Sequence, residues 1–218
     1  MLFSLTERNI RKHYRILFQP MDWNINLLLH CWQAVVNRKL KIICLRCWRQ
    51  LRILKDYQLV LAGAPSMDAS SYQPYLREDV PVTIVFGQTY RLLQQSKAAL
   101  VTSGTATLET ALFKVPQVVC YYVAFGKFVS WLRKKILKVR FISLVNLVAN
   151  REVVRELVAD GMTVDNVRNE LDALLNDESY RGKMLAEYDR MIEILGPAGA
   201  SRQAASEIIK LLKKARNV

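Results

Sequence analysis

The first 54 residues contain no glycine, although the chain has eight, all between Gly63 and Gly199. Histidine is scarce, with only His13 and His30, and acidic residues number 19 against 32 lysines and arginines, a net charge of +13 over 218 residues. No stretch of about 18 apolar residues is free of charge, so a membrane-spanning helix is not expected. Glu7, Arg8, Arg11 and Lys12 interrupt the place where a secretory signal would lie, which makes a cytoplasmic protein the expectation. Cys44-Leu-Arg-Cys47 has CxxC spacing, but no second ligand pair follows for zinc and no thioredoxin-like pattern surrounds it. At 51% apolar the chain is neither a disordered polyelectrolyte nor a disulfide scaffold, and it is long enough to bury a core.

What is present is unevenly spread. Residues 1–54 hold ten lysines and arginines against Glu7 and Asp22, three of four cysteines, three of four tryptophans and both histidines. Residues 55–218 carry the remaining net charge of +5. The division therefore runs 1–54, a basic Cys/Trp-rich segment, and 55–218, a domain. Arg, Lys and Trp interleave in the first segment without forming any recognisable nucleic-acid module, so no nucleic-acid partner is expected.

From Tyr57 onward, short apolar runs alternate with helical periodicity. Strands are expected at Tyr57–Gly63, Val82–Phe86, Ala98–Thr102, Pro116–Val123 and Phe141–Ser143. Helices are expected near Thr89–Ser96, from Ser103 to about Lys114, and over Phe125–Leu137, Arg151–Ala159, Val164–Leu175, Ser179–Leu195 and Ala200–Lys214. The alternation predicts an α/β fold: a Rossmann-like parallel sheet with helices on both faces and a helical C-terminus.

Ligands of such sheets bind beyond the carboxyl ends of the strands. There the segment Val101-Thr-Ser-Gly-Thr-Ala-Thr-Leu-Glu109 leaves a strand, turns at Gly104 and opens a helix. Unpaired first-turn amides and the helix dipole favour an anion, and the hydroxyls of Ser103, Thr105 and Thr107 can add donors. Glu109 could accept hydrogen bonds from a ribose diol. The plainer alternative is a Ser/Thr-capped helix start with Glu109 as an ordinary charge near its first turn.

Three spaced segments, Ser103-Gly-Thr-Ala-Thr-Leu-Glu109, Val115-Pro-Gln-Val-Val-Cys-Tyr121 and Phe141-Ile-Ser-Leu-Val-Asn146 through Arg151-Glu-Val-Val-Arg-Glu-Leu157, together resemble lipid-A-disaccharide synthase. The helix at Gly199-Ala-Ser-Arg-Gln-Ala-Ala205 is also similar, so the resemblance runs from about Lys55 to Lys214. It implies a GT-B glycosyltransferase, two Rossmann-like domains around a cleft, of which residues 55–218 are most of the nucleotide-binding one. The implied reaction joins UDP-2,3-diacylglucosamine to 2,3-diacylglucosamine 1-phosphate (lipid X) and releases UDP, at the cytoplasmic face of a Gram-negative inner membrane. Carried over by position, Ser103, Gly104 and Thr105 match the diphosphate contacts and Glu109 the ribose ligand. Asn146, Arg151 and Glu152 match positions facing the interdomain cleft, with helix capping as the alternative reading. Val145 stands where many members have proline, and Asn150 where many have glycine. No cofactor is implied, and no Asp-x-Asp-type pair stands at a strand end to hold a metal. Acceptor-binding and catalytic groups belong to the other domain, so this chain alone is expected to be inactive.

Between Phe125 and Arg140, Phe128, Trp131 and Leu132 share one helical side while Lys127, Arg133, Lys134, Lys135 and Lys138 crowd the rest. That pattern suits an anionic membrane surface, and equally an ordinary surface helix with its apolar stripe in the core. Upstream, the family's Gly-Ser-Arg-x-x-Glu-Ile loop is absent as written. Regrouping the codons of Leu27–Gln50 by one frame allows Pro-Ile-Ile-Ala-Leu-Leu-Ala-Gly followed by Ser-Arg-Lys-Gln-Glu-Ile, so residues 1 to about 51 read as an out-of-frame translation. Two other functions stay open: a non-catalytic basic membrane-binding module, and another GT-B-type UDP-sugar enzyme.

Overall fold

The computed structural model describes residues 57–76, 82–102, 104–121, 140–196 and 199–216, together with the backbone of 27–31. They fall into two compact units, one within Trp23–Ile192 and one from Glu193 onward. In the first, the described strands form one sheet: β1 (Leu27–Cys31), β2 (Gln58–Gly63), β3 (Val82–Phe86), β4 (Ser96–Val101), β5 (Gln117–Tyr121) and β6 (Arg155–Val158). Their spatial order is β3-β2-β1-β4-β5-β6, and every neighbouring pair is parallel. This is the Rossmann order, whose direction of winding reverses between β1 and β4.

Short apolar runs form these strands because both faces are covered. Val60, Leu61 and Ala62 are buried in succession, as are Ala98 to Val101 and Val118 to Cys120. The helices α1 (Ala69–Tyr72), α2 (Thr89–Gln95), α3 (Gly104–Leu112), α4 (Leu144–Ala149), α5 (Val164–Asn176) and α6 (Glu178–Leu195) follow the strands. Val60, Ala62, Ala99 and Val101 pack against Leu92 and Leu93 of α2 and Ala106 of α3. Helix α5 lies against β4, β5 and β6 and buries Val167, Leu171, Leu174 and Leu175. Thr163 caps α5, its hydroxyl accepting from the Asn166 amide at 3.2 Å, as the sequence predicts. In the second unit, α7 (Ala200–Arg216) is a single amphipathic helix.

Three elements differ from the sequence reading. Leu27–Cys31, in the segment set apart by composition, supplies an inner strand paired with both β2 and β4. Residues 151–159 do not form a helix. The run Val153-Val-Arg-Glu-Leu157 is β-branched at its start, buries Val154 and Leu157, and pairs as β6 alongside β5. Phe141–Ser143 is not a strand but the approach to α4, with Ser143 as its N-cap. The expected helix over Phe125–Leu137 lies outside the described residues.

At the carboxyl end of β2, Gly63 sits beneath the ring of Phe86, its cross-strand partner. A Cβ at Gly63 would meet three ring atoms at 2.3–2.8 Å. Phe86 also faces buried Tyr72, with centroids 6.0 Å apart, so the ring has little free space. Gly63→Ala is expected to destabilise by about 1–3 kcal/mol, read as a lower urea midpoint at unchanged slope.

Candidate functional site

The winding reverses between β1 and β4, whose carboxyl ends meet where Cys31 pairs with Val101, the place beyond which ligands of such sheets bind. Helix α3 starts there. Its Ala106, Thr107, Leu108, Thr110 and Ala111 are buried, which turns Gly104, Thr105 and Glu109 toward solvent. Thr105 and Glu109 are one turn apart on that flank. Two other hydroxyls of α3 are occupied within the helix: Thr107 donates to the Gly104 carbonyl at 2.6 Å, and Thr110 to the Ala106 carbonyl at 2.8 Å. Thr107 therefore does not serve as a donor to a ligand.

Burial pushes the Glu109 carboxyl above the ordinary carboxylate range. Thr102, the last residue before the turn, is 5% exposed, and its hydroxyl has no hydrogen-bond partner among the described residues. The turn itself, Ser103, lies outside them, so the structure brings together Gly104, Thr105 and Glu109 of the expected set.

Asn146 plays a different part from the one its position in the resemblance implies. It is fully buried, and its amide group is saturated. Its Oδ1 accepts from the Val153 and Val154 amides at 2.7 and 2.9 Å, while Nδ2 donates to the Val154 carbonyl at 2.8 Å and to Glu156 at 2.9 Å. It clamps the α4–β6 loop and has no group left for a ligand. Glu156, unnoticed in the sequence, is the centre of this network. Its carboxylate also accepts from the Ile142 amide at 3.0 Å, the Ser143 amide at 2.8 Å and the Ser143 hydroxyl at 2.7 Å. A fixed anion thus stands at the start of α4, which packs on α3.

Arg151 and Glu152 lie elsewhere. Each connection of a parallel sheet leaves its carboxyl edge and re-enters at the amino edge, and residues 150–154 lead into the start of β6. These two side chains therefore stand at the edge opposite Gly104. Neither lies in a helix first turn. Arg151 pairs with Glu187, and Glu152 with Arg155 at 3.1 Å. Glu152 borders a concavity of about 600 Å³ between β6, α5 and α6, whose lining includes Glu187, the partner of Arg151. Its carboxylates are all engaged: Glu152 by Arg155, Glu187 by Arg151 and Arg190, and Glu170 by the Tyr180 hydroxyl. Burial raises the Glu170 carboxyl, and the Tyr180 hydrogen bond partly offsets that. This is a self-neutralised surface cleft.

The two departures from the family pattern fit the local backbone. Asn150 is the C-cap of α4 with φ of 52°, a left-handed position that glycine adopts freely and asparagine tolerates. Val145 is the second residue of α4, within the first turn, where proline would sacrifice no helical hydrogen bond. Lys127, Trp131, Arg133, Lys134, Lys135 and Lys138 lie outside the described residues. Among the described residues no helix is long and apolar enough to cross a membrane.

The start of α3 thus sets Gly104, Thr105 and the half-buried Glu109 together at the carboxyl edge of the sheet. Comparisons with known proteins give the family. The family model described as lipid-A-disaccharide synthetase matches residues 13–209. A lipid-A-disaccharide synthase of Pseudomonas putida (strain W619) is 36% identical over 166 residues, which are 76% of this chain and 43% of that protein. One from Anaeromyxobacter dehalogenans (strain 2CP-1) is 32% identical over 72% of this chain and 41% of its own. The chain thus spans about two fifths of these relatives. Among solved structures, the spinosyn rhamnosyltransferase SpnG superposes with a TM-score of 0.54 at 16% identity, covering 84% of this chain and 45% of that one. The glycosyltransferase VinC, solved with DTDP, gives 0.53 at 16% identity over 87% and 42%. At such identities these two show likeness of fold alone.

Proposed function

Since the chain belongs to the lipid-A-disaccharide synthetase family, we propose that it is the nucleotide-sugar half of a glycosyltransferase that makes the lipid A disaccharide. The whole enzyme would transfer 2,3-diacylglucosamine from its UDP derivative to lipid X and release UDP. The observation that carries this reading is the start of α3, which opens at the reversal of winding with Gly104, Thr105 and Glu109 turned outward.

The chemistry follows from charge. Breaking the sugar–phosphate bond leaves negative charge on the UDP diphosphate. The first turn of α3, at the positive end of the helix dipole, would hold that charge together with Ser103 and Thr105, and would favour departure of UDP. Glu109, one turn on, would accept from the ribose hydroxyls. Asn146 and Glu156 would act indirectly, by fixing α4 against α3.

The basic, aromatic stretch from Lys127 to Lys138 would meet the anionic cytoplasmic leaflet of the inner membrane, where acylated substrates reside. Residues 1 to about 51 read as out-of-frame translation: the regrouped codons put Pro-Ile-Ile-Ala-Leu on the positions of β1, an apolar strand sequence in either frame. The nucleotide sequence across these codons tests that idea, which fails if the other frame lacks Gly-Ser-Arg-x-x-Glu-Ile.

Titration calorimetry of the purified chain tests the nucleotide reading. UDP is expected to bind at one site, and Thr105→Val to weaken it about tenfold through loss of a hydrogen bond to a charged group. Incubated with UDP-diacylglucosamine and lipid X, the chain alone is expected to form no disaccharide. Absence of UDP binding by a folded chain would overturn the proposal.

A further inference from the structure

Among the described residues six polar side chains are buried: Thr102, Thr107, Thr110, Gln117, Ser143 and Asn146. Five have partners. Thr107 and Thr110 donate to carbonyls one turn back in α3, Ser143 donates to Glu156, and Asn146 is saturated. Gln117 leaves its oxygen unpaired but donates through its nitrogen to the Thr107 carbonyl at 2.9 Å. Thr102 alone of the six makes no hydrogen bond with its side chain.

A hydroxyl withdrawn from water without a partner costs stability, and a methyl in its place would not. Valine has the shape of threonine and would extend the run Ala98-Ala-Leu-Val101 free of that cost. The position of Thr102 explains the exception. It follows the last residue of β4, so no helical turn precedes it to lend a carbonyl, as α3 lends to Thr107 and Thr110. It also stands two residues before Gly104, the first residue of α3, and so within about 8 Å of it from Cα to Cα. The nine-residue helix directs the positive end of its dipole to this place. A group held at that end is anionic, and its oxygens are strong acceptors for a hydroxyl with a proton to give.

We propose that the Thr102 hydroxyl is a ligand contact: it donates to an oxygen of the nucleotide's diphosphate, and the protein holds it unpaired until the ligand arrives. The inference rests on the nucleotide-binding reading and adds a residue to it. Binding and stability should then respond to its removal in opposite senses, which a purely structural threonine would not produce. The test uses the full chain with Thr102→Val, Thr102→Ser and Thr105→Val, each titrated with UDP by calorimetry and melted without it. Thr102→Val is expected to weaken UDP about tenfold to hundredfold, through loss of a hydrogen bond to a charged acceptor, and to raise the melting temperature of the free chain by about 2–4 °C. Thr102→Ser keeps the hydroxyl and is expected to bind UDP within about threefold of the parent. Phosphorus NMR at saturating UDP is expected to show a bound diphosphate line displaced between the parent and Thr102→Val. If Thr102→Val binds UDP like the parent, the proposal is wrong, and a weakened Thr105→Val in the same set leaves the nucleotide reading standing. If the folded parent binds no UDP, both fall. A Thr102→Val chain that melts below the parent would make the hydroxyl a structural group, and bound phosphorus lines that coincide in the two proteins would put it away from the diphosphate. Either result overturns the assignment.

Discussion

Replacing Asn146 by aspartate is expected to remove a large part of the protein's stability at neutral pH and to restore it as the pH is lowered. The Asn146 amide nitrogen donates to the Val154 carbonyl and to the Glu156 carboxylate. Aspartate would set an oxygen in its place, facing a carbonyl at 2.8 Å and an anion at 2.9 Å, in a site with no solvent access. Uncompensated charge buried in this way costs about 3–5 kcal/mol, a large part of a typical stability of about 5–15 kcal/mol. The sign with pH follows. Two facing carboxyl groups raise each other's pKa in the folded state, so the folded form takes up a proton more readily than the unfolded one. Stability is then fully present below the unfolded carboxyl range and is lost as pH rises through the raised value. Asn146→Leu is the control, since it strands the Val153 and Val154 amides at every pH alike. Urea melts at about pH 5 and pH 8 would decide the matter; an aspartate variant equally stable at both would sink the idea.

Glu109→Gln is expected to move stability and ligand binding in opposite directions. No hydrogen bond or ion pair from other described side chains offsets the burial that raises the Glu109 carboxyl. A raised carboxyl pKa gives stability below the unfolded value, here near 4.5, which fades as pH climbs through the folded one. Glutamine has no such loss, so the advantage of the variant should grow from mildly acidic to neutral pH and show as a higher melting temperature. UDP affinity should fall about tenfold to hundredfold, because hydrogen bonds from the ribose to a charged acceptor are exchanged for weaker ones. A variant that gains stability and binds UDP like the parent would remove Glu109 from the nucleotide site.

Strands β2 to β5 are legible in the sequence because each is a short apolar run between turn signals, and both faces of the sheet are covered. Two others are not. The residues Arg151 to Leu157 satisfy a helical spacing as well as a strand, and only pairing with β5 decides between them. Leu27–Cys31 sits in a segment of foreign composition, and nothing local separates it from its surroundings. Partners at Gln58–Ala62 and Ser96–Val101 make it a strand. The same limit applies at the site. Gly104, Thr105 and Glu109 follow from a strand, a turn and a helix read in order. The saturation of Asn146 and the hub at Glu156 depend on contacts that close over 7 to 14 residues of chain. A buried asparagine and a ligand-binding one look alike until their neighbours are known.

The place of β1 has a consequence for how the sheet is assembled. It is the earliest described strand, yet it pairs with β4 about seventy residues later as well as with β2. During synthesis its backbone donors and acceptors on one side wait unpaired until Val101 has emerged. Folding therefore has a long-range step near its centre, slow by its topology, and until that step an apolar inner strand is exposed to other chains. The seam where the direction of winding reverses is also where this protein is most open to misassembly.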